Sequence, residues 1–319
     1  MRTILQTLFV VLFIGSPVVV KADDHENTLN MEQLAQTFGW DLEGAEIQSQ
    51  KVADGLYVLF GIGGNIAVSI GEDGVLIVDD QFPQVMDKIE AVISKIGGAK
   101  IDYAINTHWH FDHAEGNNAL GPKGTTIVAH ANARADMQQG GIVNMVIAKY
   151  DQQPYPKEAL PVFTYDEGMQ IHFNEGEIDL RNFSPAHTDG DTVVIFKAQN
   201  AVHMGDVFNN VGYPFIDVGS GGSIDGLINF CEQTLNILTE DTIVIPGHGP
   251  VTNTATLARY ITMLKAVRER VALMIAEGKS LEEVLSAKPT AEFDKDFGAE
   301  SASLGFVNRV YTSLSLESS

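Results

Sequence analysis

Apolar residues along this chain switch between a period of two and a period near 3.6, and each switch marks a change between strand and helix. Residues 56–62 alternate as a strand, and 65–70 with 75–78 predict a hairpin turning at Glu72-Asp73-Gly74. Val85, Ile89, Val92, Ile93 and Ile96 then fall on one helical face, which Gly97-Gly98 ends. Ile101, Tyr103 and Ile105 alternate again, so the strand 101–107 is expected to carry all three on one face. Further β-branched runs follow at 192–196, 201–204 and 242–245. Leu227, Ile228, Phe230, Cys231, Leu235, Ile237 and Leu238 describe a helix with Cys231 in its core-facing side. Leu257, Tyr260, Ile261, Leu264, Val267, Val271 and Met274 describe another, docked on the core. The last apolar segment, Leu304-Gly305-Phe306-Val307 through Val310-Tyr311, is suited either to pack back or to join a dimer, and the oligomeric state stays open. Periodicity alone therefore gives one domain of α/β or α+β class, with no internal repeat.

The first residues add a compartment. Arg2 precedes an apolar stretch over 4–14, and Val20 with Ala22 fits the small-residue cleavage rule. That stretch is short for a membrane span, so residues 1–22 read as a signal peptide cut after Ala22. The mature chain is then periplasmic or secreted, without a stable membrane anchor. Its expected organisation is a catalytic domain over 23–252 and a helical extension over 253–319 packed on that domain. Cleavage removes Arg2 and Lys21 and no acidic residue, which takes the formal charge from -22 to -24. Such a surface repels phosphate backbones, and nucleic acid is excluded as a partner in favour of a small-molecule substrate. With Cys231 alone, no internal disulfide can form.

Chemistry concentrates in His108-Trp109-His110-Phe111-Asp112-His113, four potential metal ligands in six residues directly after a strand. His108 and His110 should leave the strand end pointing the same way, with Asp112 and His113 on the turn beyond. Three later motifs extend the donor set: His187 in Ala186-His187-Thr188-Asp189-Gly190-Asp191, Asp206 in His203-Met204-Gly205-Asp206, and His248 in Pro246-Gly247-His248-Gly249. Imidazole nitrogen with carboxylate oxygen suits zinc, and two neighbouring donor groups can serve two ions. Two such cations lower the pKa of a shared water from about 15.7 to about 7 and need no serine or cysteine nucleophile. His130, His172 and His203 read as strand-end or turn residues, and His25 as solvated near the mature terminus.

Ligand for ligand, the set resembles the metallo-β-lactamase superfamily of hydrolases, over about residues 55–251. The resemblance implies an αββα sandwich of α+β class, two central mixed sheets flanked by helices. It further implies that His108, His110 and His187 hold one ion and Asp112, His113 and His248 a second, with Asp206 bridging. Asp112 becomes the residue that orients the attacking water and moves a proton, and Asp79 the partner that supports the ligands from behind. Two Zn2+ are the expected cofactors, with iron or manganese as alternatives; histidine at 110, where di-iron relatives carry glutamate, favours zinc. The bridging aspartate matches thioester hydrolases and lactonases, whereas many β-lactamases carry cysteine or serine near that point. Asn209 stands where one large β-lactamase group has a lysine for the substrate carboxylate.

Competing classes fail on the residues. Gly61-Ile62-Gly63-Gly64-Asn65 lacks dinucleotide-loop spacing, Gly219-Ser220-Gly221-Gly222-Ser223 lacks a phosphate-loop lysine, and no serine sits in a nucleophile elbow. The leading expectation is an exported zinc hydrolase of a small cyclic or activated amide, ester or thioester, with a β-lactam as the best single named substrate. A lactonase or thioesterase is the alternative within the same family. A mononuclear-iron sulfur dioxygenase or a periplasmic metal-binding protein without turnover stands further off. The segment 137–165 is expected either as a lid whose Met145, Ile147 and Tyr150 meet an apolar group, or as a surface helix packing them inward. Tyr213 and Phe215 are a second candidate pocket wall, and the turn 61–65 a third.

Overall fold

A computed structural model describes residues 28–298 and 300–317; the expected signal peptide, its cleavage point and His25 lie outside them. Two sheets form the centre. The first orders its strands Gln48–Ala53, Leu56–Phe60, Ile66–Gly71, Gly74–Val78, Ile101–Ile105, Thr126–His130 and Phe163–Tyr165. Its first four strands are antiparallel neighbours, and from Gly74–Val78 onward the pairing is parallel. The second orders Gly168–Phe173, Gly176–Arg181, Val193–Phe196, Ala201–His203, Ile243–Ile245 and Thr252–Asn253, again mixed. Glu72 and Asp73 make the two-residue connection between paired Gly71 and Gly74, as the pattern predicts.

Three apolar layers hold these sheets. Leu56, Val58, Val78, Ile105, Ile178 and Val194 pack between them. Ile77, Ile89, Ile93, Ala104 and Leu120 fill the outer side of the first sheet beneath the helix Met86–Lys95. Val193, Val202 and Val244 pack on the other side against the helices Ile224–Ile237, Thr254–Ala276 and Glu300–Glu317. The result is the αββα sandwich, with strands buried on both faces. Cys231 is buried in the helix Ile224–Ile237. The long helix Thr254–Ala276 buries Leu257, Tyr260, Ile261, Leu264, Val267 and Val271, the face that its spacing marks. Val307, Val310 and Leu314 pack back into the same layer. No helix among the described residues is long and apolar enough to cross a membrane.

One expected register is wrong. Ile101 lies in the helix-side layer with Ala104, while Tyr103 and Ile105 face the intersheet layer. The pairing jumps from Val75↔Ile101 to Leu76↔Tyr103, so Asp102 is an extra residue in a bulge and the face switches across it. The Asp102 carboxylate accepts the Val75 N–H that the bulge strips of a backbone partner, at 3.0 Å. Alternation read from apolar residues alone cannot see an inserted residue whose side chain replaces a ladder bond.

The segment 137–165 is not a surface helix packing Met145, Ile147 and Tyr150 inward. The helix Ala131–Gln139 ends at Gly140, and Gly141–Asn144 pairs with Lys149–Gln152 as a separate two-stranded hairpin. Val146 at its tip has φ +70°, and the neighbouring Ile147 is largely exposed.

Candidate metal centre

The strand Ile101–Ile105 stops short of the donor run, and one turn of helix, Phe111–Ala114, follows it. His108 and His110 leave the loop between them with rings 4.8 Å apart, edge to face. His187 enters from the loop before Val193–Phe196, Asp206 from the turn after Ala201–His203, and His248 from the loop after Ile243–Ile245. All seven expected donors converge. His108, His110 and His187 form one set of donor atoms within 4.8 Å of one another, Asp112, His113 and His248 a second, and His108, His113 and Asp206 a third that joins them.

Asp206 faces both groups with different oxygens. Its Oδ1 lies 3.1 Å from His113 Nε2 and 3.5 Å from His248 Nε2, and its Oδ2 lies 3.9 Å from His187 Nε2. Asp112 Oδ2 is 3.2 Å from His248 Nε2. The His113 and His187 side chains are fully enclosed, whereas 24% of His248 and 15% of Asp112 reach solvent, so a substrate must approach from that side.

The outer partners of the imidazoles determine which nitrogen carries hydrogen. His187 Nδ1 donates to the Phe215 carbonyl at 2.8 Å, leaving Nε2 bare. His110 Nε2 donates to the Asp217 carboxylate at 3.0 Å, leaving Nδ1 bare. Those two bare nitrogens face each other at 2.9 Å, with no proton to share. Thr107 Oγ1 spends its hydrogen on Asp79 Oδ2 and so accepts from His108 Nδ1; His108 Nε2 is left buried without a partner. His113 Nδ1 donates to Asp79 Oδ2 at 2.7 Å, and its Nε2 points at His248 Nε2, 3.1 Å away. Three imidazoles, His108, His110 and His187, thus turn lone pairs inward, and His113 Nε2 faces the Asp206 carboxylate, a donor set that fits divalent cations.

Electrostatics agree with that fit. Burial, reinforced by neighbouring imidazoles, holds His108 well below its ordinary pKa and, chiefly alone, pushes His187 down to about 4, so both are neutral and ready to bind a cation. Burial opposes ionisation of Asp206 too, but His248 and His113 outweigh it and keep the carboxyl well below the usual range. His113 is raised against its burial by Asp206, Asp112 and Asp79.

The surrounding loops are locked to this geometry. Gly64 N–H donates to the Asp112 carbonyl at 2.9 Å, and Asn65 Nδ2 donates to the carbonyls of Pro246 and Gly249, either side of His248. The residues between the donors are tied down by the hairpin: Gln152 Nε2 donates to the Trp109 carbonyl at 2.6 Å, and the Tyr150 ring packs edge-on against Phe111 at 4.7 Å.

The expected pocket residues divide. Phe215 stands beside the cluster, its ring 5.9 Å from that of His110 and 5.6 Å from that of His187. Tyr150 does not line a pocket: it is buried, with its hydroxyl donating to Glu115 Oε1 at 2.7 Å. Tyr213 is also drawn away, stacked on Phe306 at 5.5 Å with its hydroxyl on Asp294 Oδ1 at 2.7 Å. In both cases the phenol hydroxyl is satisfied by a carboxylate, Glu115 for Tyr150 and the partly buried Asp294 for Tyr213. His130 and His203 make backbone hydrogen bonds at strand ends, and His172 is exposed on Gly168–Phe173. Sequence reasoning missed Thr107 and Asp217; no spacing relates Asp217 to His110, so only the folded contact reveals it.

Comparison with known proteins leads to the same class. The family model described as the metallo-beta-lactamase superfamily matches residues 62–250. The chain belongs to the metallo-β-lactamase superfamily. It is similar to a probable metallo-hydrolase of Methanocaldococcus jannaschii, 26% identical over 199 residues, covering 60% of this chain and 90% of that protein. It is also similar to a hydroxyacylglutathione hydrolase of Polaromonas sp., 28% identical over 169 residues, 52% of this chain and 56% of that protein. Among solved structures, the DIM-1 metallo-β-lactamase matches with TM-score 0.55 and 19% identity over 69% of this chain and 97% of its own. A metallo-β-lactamase from Pontibacter korlensis matches with TM-score 0.57 and 12% identity over 69% and 99%. These two show the fold, and the family with its metallo-hydrolase relatives makes the chain a hydrolase.

Proposed function

We propose that this chain is an exported, dizinc hydrolase that opens a small activated acyl group, with a β-lactam as the first substrate to test. The observation that carries the reading is Asp206, whose two oxygens address two separate imidazole groups. His108, His110 and His187 would hold one ion, Asp112, His113 and His248 the other, and Asp206 would touch both. When bound, such ions supply a water acidic enough to attack at neutral pH and an electrophile for the carbonyl oxygen. The protein's part is positional. Asp112, partly open to solvent beside His248, is placed to orient an attacking water and to accept a proton. Asp79 and Asp217 fix the imidazoles of His113 and His110 from behind. Phe215 offers an apolar wall at the edge of the cluster.

A second reading, a lactone or thioester substrate, is supported by Asp206 itself and by Asn209, whose side chain only closes a local turn onto Val211 N–H at 3.1 Å. The hydroxyacylglutathione hydrolase among its relatives supports the thioester arm. Zinc-loaded protein assayed with a chromogenic cephalosporin, a lactone panel and a thioester panel tests both. Turnover of one panel names the substrate class; absence of hydrolysis throughout, with metal content verified, rejects the hydrolase reading. Iron in natively purified protein, together with oxygen consumption, would replace zinc hydrolysis with oxidation.

A further inference from the structure

The C-terminal helix brings one cation beside this site. Arg309 lies on Glu300–Glu317, half-buried, with its guanidinium carbon 5.8 Å from the centre of the Phe215 ring. The same Phe215 ring borders His110 and His187 on another side, and its carbonyl holds His187. One guanidinium nitrogen donates to the Asn144 carbonyl on the hairpin, while Nε is buried with no partner at all. Arg309 forms no ion pair among the described residues. Asp217, the carboxylate that acts on it electrostatically, already accepts from His110 and from Ser220 Oγ.

That arrangement is costly without a ligand. A half-buried guanidinium whose Nε is enclosed, and which meets a carbonyl in place of a carboxylate, loses hydration that one neutral acceptor does not fully restore. Burial accordingly pulls its pKa below the usual guanidinium value. The protein is also strongly acidic, so a half-buried arginine beside Phe215 is not explained by an excess of basic residues. Its planar fork is suited to a carboxylate, and the Phe215 ring, 5.8 Å from the guanidinium carbon, favours a cation at that place.

We propose that Arg309 is the specificity determinant of the site, binding a carboxylate carried by the acyl substrate while Phe215 packs against the chain between that carboxylate and the scissile carbonyl. The inference rests on the hydrolase reading and narrows it: the substrate is an anionic acyl compound, and the recognising cation comes from the C-terminal helix, not from position 209.

Matched substrate pairs test this with the full zinc-loaded chain: a chromogenic cephalosporin and its methyl ester, and a succinyl thioester with its butanoyl twin. Arg309→Met should lose about tenfold or more in kcat/KM on the carboxylate member, mostly through KM, and stay within about twofold on the neutral twin. Arg309→Lys, which keeps the charge and loses the fork, should recover part of the preference. Equal losses on both twins, or no change on either, overturn the assignment, and the neutral twin doubles as the folding control. Glutarate binding to metal-free protein by calorimetry separates this inference from the hydrolase reading. If wild type turns over neither pair, loss of glutarate binding in Arg309→Met still supports the carboxylate site, and unchanged binding rejects it.

Discussion

Asp79 Oδ2 sits 2.7 Å from His113 Nδ1, and the other Asp79 oxygen accepts the Thr107 N–H at 2.7 Å. One carboxylate therefore sets the tautomer of His113 directly and that of His108 through the Thr107 hydroxyl. Asp79 does this from a left-handed backbone position, φ +65°, which aspartate tolerates better than most residues. Asp79→Ala should lower metal affinity by about 10–100-fold, measured by competition with a chromophoric chelator. Asp79→Asn, which keeps one acceptor, should fall between. Wild-type affinity in the alanine variant would mean that the tautomers are set by something else.

Removing the shared carboxylate should change stoichiometry as well as affinity. Asp206→Ala deprives both imidazole groups of their common partner, so metal per chain, counted by elemental analysis after dialysis, should fall below the wild-type count. An unchanged count in that variant would refute the bridging role.

Two glycines test how closely the backbone must approach the donors. A Cβ on Gly64 would lie 2.2 Å from His113 Cε1, and one on Gly247 would lie 2.1 Å from Asp206 Oδ1. The His113 ring is fully enclosed and the Asp206 carboxylate is crowded by the His113 and His248 imidazoles, so neither retreats freely. Gly64→Ala and Gly247→Ala should each cost about 1–3 kcal/mol of stability in chemical denaturation and weaken metal binding. An unchanged midpoint in either would show that the loop gives way.

Burial, against the hydrogen bond from Tyr150, pushes Glu115 from its ordinary 4.5 up to about 7. The folded state thus favours the protonated acid. That contribution is fully present below the unfolded value and is lost as pH rises through about 7. Glu115→Gln removes the dependence, so in metal-free protein its stability relative to wild type should rise between pH 5 and pH 8, by up to about 3 kcal/mol. All other groups are common to both proteins and cancel in the comparison. A difference that is flat with pH would place Glu115 in a wetter setting than the structure gives it.

The donor residues were legible along the chain because metal binding demands particular side chains, and those residue types sit in four short motifs whose order survives any detail of folding. Strand and helix positions were legible for a similar reason, since each buried face imposes its own period. What escaped was whatever depends on partners far apart in sequence. The bulge at Asp102 shifted Ile101 to the opposite face. Tyr150 and Tyr213, near the site along the chain, turned to acceptors at Glu115 and Asp294.

By itself, then, the sequence determined the α/β or α+β class and the donors, because burial periodicity and ligand chemistry are written into residue type, and the order of its motifs carried the resemblance that implied the sandwich. Only the tertiary structure decided which nitrogen of each imidazole faces inward, since that depends on Thr107, Asp79, Asp217 and the Phe215 carbonyl arriving from separate loops. It also decided that Arg309, nearly two hundred residues beyond His113, stands over Phe215. A hydrogen bond or a cation on a ring exists only between atoms brought within a few ångströms, and no spacing along the chain encodes that distance.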